Sequence, residues 1–338
     1  MRYALLPLLT FFFMTYVNVG IAQVPISSVE IQEIFTDSTL NCRALEVQNG
    51  QAYFATSDGR VVQYNISDNK IDTLWIADSV HFRSLALVGG NVFALGIESP
   101  ALLFKNGKVV YREDNEKAFY DSMEFWNTKE GIAMGDPTDS CISIIRTHDG
   151  GNSWHKISCE QLPASIEGEG AFAASDTNIK LSGDKVWIAT GGMVSRIHYS
   201  SDKGDHWLVG EVPIIQGKST TGMYSMDFYD DSLGFAIGGD YTNADNNIQN
   251  KIKTEDGGKT WKLIASGTDP GYRSCVQYVP ESNGMQLVAI GFKGIDISND
   301  GGEKWTTIST EGFYTIRFIN SNEAFAAGNG RVAYIKFN

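Results

Sequence analysis

Short segments of alternating apolar and polar residues recur through most of the chain, separated by glycines and small polar residues. Ser225–Tyr229 shows the alternation, and the small apolar segment Gly234–Gly239 follows it. An alternation of period two predicts β-strands with one buried face. The segments come in groups at a period of about 40–50 residues, which predicts a β-propeller. The sequence therefore predicts one all-β domain over residues 23–338.

The groups number seven when their first strands are counted. These strands begin near Arg43, Arg83, Asp121, Phe172, Tyr224, Arg273 and Tyr314. The last group has only three strands and ends with Arg331–Phe337, while Val29–Phe35 is a strand without a group. Pairing the two completes the last blade and removes open sheet edges. We therefore expect a seven-bladed propeller closed by the N-terminal strand, with six or eight blades as the alternatives.

One turn motif, Ser/Thr-x-Asp-x-Gly-x-x-Trp, occurs four times between predicted third and fourth strands. Its copies are Thr147–Trp154, Ser200–Trp207, Thr254–Trp261 and Ser298–Trp305. In such a turn Asp accepts backbone N–H groups, Gly adopts a positive φ and Trp packs against the neighbouring repeat. Because the same chemistry recurs in four repeats, we interpret the Asp as structural and not as catalytic.

The first 22 residues have the pattern of an export signal. Arg2 is followed by the apolar run Leu5–Val19 and then by Gly20 and Ala22. A charged start, an apolar run and a small-residue cleavage site are typical of a signal peptide. An uncleaved anchor is the alternative, but the run is shorter than the ~20 residues of a comfortable span. We expect an exported mature chain, periplasmic or secreted, without a membrane span.

Charge and cysteine content narrow the choice of partner. The chain has 27 Lys and Arg against 40 Asp and Glu, for a net charge of -13, which argues against nucleic-acid and anionic-membrane binding. Cys141 and Cys159 flank a predicted hairpin, and both a disulfide and two separate thiols remain open. No Cys/His spacing predicts a metal site, and no cofactor fingerprint supports a bound cofactor.

The starts of the first strands predict where a ligand binds, because innermost strands of a propeller start on one face around the central channel. In ring order, Arg273, Tyr314, Arg43 and Arg83 form a cationic arc, and Asp121, Glu167 and Glu169 form an acidic arc opposite. Arg binds carboxylates through a planar fork, so the cationic arc predicts a site for an acidic group. The alternatives are that each Arg pairs with a neighbouring blade and that Tyr224 and Tyr314 plug the channel.

The four turns resemble the Asp-box, or bacterial neuraminidase repeat. Asp121–Asp136, Gly168–Ser175 and Pro270–Cys275 are among the segments that resemble exported Asp-box propellers of Bacteroidetes-type bacteria. Those proteins are related to the photosystem II assembly and stability factor family of plants and cyanobacteria. This resemblance implies a role in binding partner proteins.

Sialidases are a second, more distant resemblance. They use three Arg for the substrate carboxylate, a Tyr nucleophile with its Glu, and an Asp acid. The residues that would take these parts are Arg43, Arg83, Arg273, Tyr314 or Tyr224, Glu169 and Asp121. This resemblance implies catalytic roles for Asp121, Glu169 and Tyr314. The sialidase motif Phe/Tyr-Arg-Ile-Pro is not present, and Phe82–Leu85 is its nearest match.

Together these patterns predict a monomeric, exported, non-catalytic propeller that binds a protein or glycan on its Arg-bearing face. The expected ligand-binding residues are Arg43, Arg83, Arg273, Tyr224 and Glu167. The alternative is a glycoside hydrolase or lyase of the sialidase type that acts on an acidic sugar.

Overall fold

The computed structural model describes residues 24–338. The predicted signal peptide, residues 1–22, lies outside the described residues. Residues 24–338 form strands, turns and two short 3₁₀ helices, Cys159–Gln161 and Tyr241–Asn243. Neither helix in this part of the chain is long and apolar enough to cross a membrane.

The strands are numbered in chain order. The first fourteen are β1 (Val29–Gln48), β2 (Gln51–Thr56), β3 (Arg60–Asn65), β4 (Lys70–Ile76), β5 (Phe82–Val88), β6 (Asn91–Gly96), β7 (Ala101–Lys105), β8 (Lys108–Glu113), β9 (Tyr120–Phe125), β10 (Gly131–Gly135), β11 (Ser143–Thr147), β12 (His155–Lys156), β13 (Glu169–Gly170) and β14 (Ile179–Ser182). The others are β15 (Lys185–Ala189), β16 (Gly191–Gly192), β17 (Arg196–Ser200), β18 (Leu208–Glu211), β19 (Thr221–Phe228), β20 (Gly234–Asp240), β21 (Lys251–Thr254), β22 (Lys262–Leu263), β23 (Cys275–Tyr278), β24 (Leu287–Gly291), β25 (Gly294–Ser298), β26 (Thr306–Ser309), β27 (Thr315–Asn320) and β28 (Glu323–Phe337).

Hydrogen bonds join these strands into an all-β propeller of six blades within residues 24–338. Four sheets have four strands each, in the orders β5-β6-β7-β8, β12-β11-β10-β9, β14-β15-β17-β18 and β23-β24-β25-β26. Two sheets have six strands, in the orders β27-β28-β1-β2-β3-β4 and β13-β16-β19-β20-β21-β22. The core lies between neighbouring sheets. One apolar cluster, for example, joins Val288 and Ile297 of one sheet to Ile316 and Ile335 of the next.

The prediction of seven blades is wrong, and two long strands are the reason. Val29–Phe35 and the strand near Arg43 were expected in different blades, but both belong to β1, a strand of 20 residues. The strand Arg331–Phe337 is likewise the second part of β28, which has 15 residues. Each of these two strands spans what the sequence predicted as two separate strands. The strands expected for the last blade and for the first blade therefore belong to one sheet. Within it, β1 pairs with β28 from Val29↔Phe337 to Asn41↔Asn329.

Residues 172–178, here called the plug, replace the first strand that was expected near Phe172. No strand spans them, and Ser175 to Asn178 are buried. The plug carbonyl groups accept hydrogen bonds from two sheets: Ala173 O from Arg83 Nη1 (2.7 Å), Ala174 O from Arg43 Nη1 (3.0 Å) and Ser175 O from Thr315 Oγ1 (2.8 Å). The segment therefore fills the centre of the ring.

Side chains of the plug also bind the inner strands. Asp176 accepts hydrogen bonds from Leu85 N (2.8 Å) and from Ser122 Oγ (3.0 Å). Thr177 Oγ1 donates to Ser225 Oγ at 2.8 Å. Burial raises the pKa of the Asp176 carboxyl well above its usual range. The two donated hydrogen bonds offset part of the cost of burying this carboxyl group.

The four Ser/Thr-x-Asp-x-Gly-x-x-Trp turns share one hydrogen-bond pattern. In the third copy, Thr254 Oγ1 accepts from Gly258 N (2.9 Å), and Asp256 accepts from Thr260 N (2.9 Å) and Thr260 Oγ1 (2.6 Å). The Thr260 hydrogen bonds lower the pKa of the exposed Asp256 carboxyl to about 2. Each Asp is therefore committed to its own turn, in agreement with a structural role.

The glycine at the fifth position of the turn motif also packs against the preceding sheet. A Cβ on Gly151 would lie 2.3 Å from the Phe93 ring, and a Cβ on Gly302 would lie 2.3 Å from the Phe235 ring. Both glycines adopt a positive φ, 73° and 94° respectively. Any larger residue at these positions would push the turn away from its neighbour.

A disulfide joins Cys141 and Cys159, which resolves the open alternative in favour of the bond. The hairpin between them includes the first of the four turns. The other cysteines, Cys42 and Cys275, are buried free thiols.

Asp176→Ala is expected to destabilise the protein by about 2–4 kcal/mol, because it leaves two buried donors, Leu85 N and Ser122 Oγ, without an acceptor. Asp176→Asn keeps an acceptor for Leu85 N and a hydrogen-bond partner for Ser122 Oγ, so it should lower the stability by less than Asp176→Ala does. Urea unfolding of both variants tests this, with the exposed Asp78→Ala as the control. Equal stability of Asp176→Ala and the control would contradict a stabilising plug.

Asp256→Asn is expected to lower stability at neutral pH by up to about 1 kcal/mol, the range of a capping carboxylate at an exposed site. Because the folded-state pKa of Asp256 is lowered to about 2, its stabilisation is present above pH ~4 and is lost as the pH falls toward 2. The stability difference from the wild type should shrink over that interval. Denaturant titrations at several pH values measure it, with Asp78→Asn as the control. A difference that does not change with pH would be the contrary result.

Candidate functional site

A cavity of about 510 Å³ opens at one end of the central channel. Residues 172–174 of the plug contribute to its lining, together with side chains near the starts of the inner strands. The lining residues outside the plug are Arg43, Arg83, Phe119, Asp136, Ala171, Ser219, Tyr224, Tyr241, Tyr272, Phe292 and Tyr314. The cavity thus combines two arginines, one carboxyl group and an aromatic wall, a composition typical of a ligand site.

Arg43 is held in place by the plug and by an aromatic ring. Its Nη1 donates to Ala174 O at 3.0 Å, and its guanidinium carbon lies 3.6 Å from the centre of the Tyr314 ring. Its buried Nε has no hydrogen-bond partner among the described residues. Burial lowers the pKa of Arg43, and no carboxylate among the described residues forms an ion pair with it. The guanidinium therefore sits at the cavity as a desolvated, uncompensated cation.

Arg83 has a similar environment. Its Nη1 donates to Ala173 O at 2.7 Å and its Nε donates to His81 Nε2 at 2.9 Å. Burial lowers the pKa of Arg83 to about 10, so it stays charged at neutral pH. Burial, together with Arg83 and Arg43, lowers the pKa of His81 to about 4, so the imidazole is neutral and accepts the hydrogen bond. Arg83 forms no ion pair within residues 24–338, and its Nη2 remains free for a ligand.

Aromatic rings form the wall next to the arginines. Tyr224 stacks on Phe172 with ring centres 3.8 Å apart, and Tyr272 meets the Tyr224 ring edge-on at 4.7 Å. The Tyr224 hydroxyl donates to Thr220 O at 2.8 Å, which fixes the ring. Phe292 packs on Tyr272 at 5.4 Å. Such a wall offers apolar and π contacts beside the two cations.

Asp136 supplies the carboxyl group of the cavity. Its Oδ1 accepts a hydrogen bond from Ala171 N at 2.7 Å, and burial raises the pKa of Asp136 to about 6. Asp121 lies on the neighbouring strand and is fully buried, with no hydrogen-bond partner for either carboxyl oxygen among the described residues. Burial, and then the charge of Asp136, raise the pKa of Asp121 well above its usual range. Asp121 therefore lies behind the cavity wall, where burial opposes its ionisation.

The structure brings together four of the predicted site residues: Arg43, Arg83, Tyr224 and Tyr314 all line the cavity. Arg273 does not line it, although it occupies the equivalent position in its repeat. Its Nε donates to Asp296 Oδ2 at 2.5 Å, and both side chains are buried. Asp296 lies in the same sheet, on β25, and neutralises the guanidinium there. The expected third arginine of the cationic arc is therefore a structural ion pair.

The two predicted glutamates are also outside the cavity lining. Glu169 is buried and accepts hydrogen bonds from Thr190 Oγ1 (2.8 Å), His198 Nε2 (3.1 Å) and Arg196. Burial opposes its ionisation, but the hydrogen bonds from His198 and Arg196 lower the pKa of Glu169 to about 2. Glu167 is exposed on the loop before β13. None of the three residues expected in the acidic arc therefore lines the cavity. Among the described residues, Asp136 supplies its carboxyl group.

Sequence reasoning missed Asp136, His81 and most of the aromatic wall. Tyr272 precedes the predicted Arg273, and Asp136 directly follows β10, on the strand next to Asp121. A position next to the start of a first strand, in sequence or on the paired strand, is therefore a signal that would have identified both residues. No group of three His, Cys, Asp or Glu side chains within residues 24–338 could hold a metal ion.

Comparison with known proteins gives no family by sequence. No family model matches the chain, and no curated protein matches it. Solved structures do match it. A structure described as YCF48 bound to D1 peptide has a TM-score of 0.65 at 12% identity, covering 96% of this chain and 100% of that one. YCF48 from Cyanidioschyzon merolae has a TM-score of 0.64 at 12% identity, covering 92% and 99%.

A WD40-repeat protein matches as well. The WD40 repeats of RRP9 have a TM-score of 0.62 at 11% identity, covering 94% of this chain and 99% of that one. The fold is that of a β-propeller. At such low identities the likeness establishes the fold alone, and the propeller scaffold serves many functions.

Glu169→Ala is expected to destabilise the protein by about 3–5 kcal/mol, because it leaves the buried Arg196 charge without its partner. Glu167→Ala, two residues away and exposed, should change stability by less than about 0.5 kcal/mol. Thermal and urea unfolding of the matched pair measure the difference. If Glu169→Ala were as stable as Glu167→Ala, Glu169 would not have the structural role assigned to it.

Proposed function

We propose that this protein is a non-catalytic binding propeller whose ligand occupies the cavity at Arg43 and Arg83. The proposal includes a monomeric, exported protein of the Asp-box type, related to the assembly-factor propellers that its sequence resembles. The supporting observation is the pair of guanidinium groups, which lie in one cavity without an ion-pair partner among the described residues. A desolvated arginine without a carboxylate is costly unless a ligand supplies one.

A carboxylate is the ligand group that fits these arginines best. Their Nη1 atoms already donate to plug carbonyl groups, which fixes the orientation of both side chains. The remaining N–H groups can donate to a carboxylate in the planar geometry that arginine favours. Because the side chains are already ordered, binding loses little conformational entropy. An acidic ligand is therefore expected to bind in spite of the negative charge of the chain.

A protein ligand is favoured over a glycan. The aromatic wall of Tyr224, Tyr272 and Phe292 suits apolar side chains of a peptide, although sugars also stack on such rings. One structure with the same fold is described as bound to a peptide, D1, which supports peptide binding as a use of this scaffold. The glycan remains the alternative ligand of the same face.

The hydrolase alternative has less support from the geometry. Of the residues that would act in it, Asp121 is fully buried, Glu169 is neutralised by Arg196, and Arg273 pairs with Asp296. Only Arg43, Arg83 and the two tyrosines, Tyr224 and Tyr314, line the cavity. A nucleophile without an adjacent base and an acid that cannot reach the ligand do not make a glycosidase site.

Arg43→Gln and Arg83→Gln are each expected to weaken binding of acidic peptides by about ten- to a hundredfold, the effect of losing a hydrogen bond to a charged group. Calorimetry with acidic peptides, their amidated counterparts and uronic-acid oligosaccharides measures this. Arg112→Gln, an exposed arginine on β8 that pairs with Asp114, is the matched control. Stronger binding of the oligosaccharides would select the glycan ligand, and their hydrolysis would select the enzyme. Binding of peptides that is unchanged in both variants would contradict the site.

A further inference from the structure

The cavity contains charges of both signs that are not paired with each other. Arg43 and Arg83 line it, and Asp136 lines it as well, yet none of the three takes part in an ion pair within the described chain. Opposite charges that share a desolvated cavity without contact are each available to a ligand.

The position of Asp136 is fixed by its surroundings. Oδ1 accepts the hydrogen bond from Ala171 N, and Gly170 lies so close that a Cβ there would be 2.7 Å from the same oxygen. Oδ2 makes no hydrogen bond with a described residue. Behind the carboxyl group, the buried Asp121 has no partner of its own. One oxygen of Asp136 is therefore anchored to the backbone, and the other is free to accept from a ligand.

We propose that the cavity binds a dipolar ligand, with its carboxylate on Arg43 and Arg83 and a protonated amine on Asp136. The ligand class is a peptide in which an ammonium group lies a few ångströms from a carboxylate, with an apolar side chain against Tyr224 and Tyr272. This inference rests on the proposed function and adds a specificity-determining residue to it. The two charges come either from the two ends of a short free peptide or from a Lys and a Glu side chain within a protein segment.

A matched ligand series tests the proposal by calorimetry on the full mature chain. The dipeptide Ala-Phe carries both charges, N-acetyl-Ala-Phe lacks the ammonium and Ala-Phe amide lacks the carboxylate. An end-blocked peptide that contains Lys-Phe-Glu, and its counterpart with norleucine in place of Lys, represent the protein segment. In at least one of the two series, the doubly charged ligand is expected to bind at least tenfold more tightly than its counterparts, and the series that shows this preference identifies the source.

Asp136→Asn is expected to abolish that preference, because it removes the charge that holds the ammonium while Asn keeps the acceptor for Ala171 N. The variant should bind the anionic N-acetyl-Ala-Phe at least as tightly as the wild type, because a negative charge has been removed from the cavity. Asp139→Asn, an exposed acid in the same loop, should keep the preference. Unfolding temperatures of both variants show that the fold is intact. If N-acetyl-Ala-Phe binds in an Arg43-dependent manner and the ammonium adds nothing, this inference is overturned and the proposed function stands. If no carboxylate ligand binds in an Arg43-dependent manner, both are overturned.

Discussion

The filling of the central channel by the plug is the constraint on which the rest of this molecule depends. A ring of sheets directs inner-strand polar groups toward its axis, where each buried group needs a partner. The plug provides those partners: its carbonyl groups accept from Arg43, Arg83 and Thr315, and Asp176 accepts from Leu85 N. The plug also binds Ser122 and Ser225, which lie in two further sheets, so one irregular segment satisfies four sheets at once.

The same contacts separate two ends of the channel with different electrostatics. At the cavity, the plug orients two arginines but supplies only neutral carbonyl oxygens, so their charges remain uncompensated. At the other end, Arg317 pairs with Glu46 at 2.8 Å and Lys180 pairs with Asp227 at 2.6 Å. Cations there are neutralised within the protein, as expected of a structural network. Only the cavity end therefore has cations that are held in place and have no anionic partner. This difference is the physical basis on which we propose the binding site at that end.

The sequence was sufficient for the propeller and for part of the cavity. Period-two alternation and the four turns predict the fold, and the register of the inner strands placed Arg43, Arg83, Tyr224 and Tyr314 together. The blade count failed because the segment between Phe35 and Arg43, and the segment before Arg331, predict breaks between strands. In the structure β1 and β28 each run through these segments, and the two strands pair on both sides of a register shift between Thr36 and Asn41. The plug could not be predicted because its partners are dispersed over strands far away in sequence. Asp136 was missed because burial, which no local pattern reports, makes it distinctive.

Arg273 shows why position in a repeat does not decide function. It follows Tyr272 at the start of an inner strand, as Arg43 and Arg83 stand at equivalent starts, but Asp296 on β25 meets its guanidinium within the same sheet. The plug offers the other two arginines carbonyl groups, which fix a guanidinium without cancelling its charge. The difference between a structural and a ligand-binding arginine therefore lies in the charge of the nearest acceptor and not in the arginine. The binding site that we propose lies where the repeat is locally broken, because the irregular fourth group sends its chain into the channel and offers Arg43 and Arg83 only neutral acceptors.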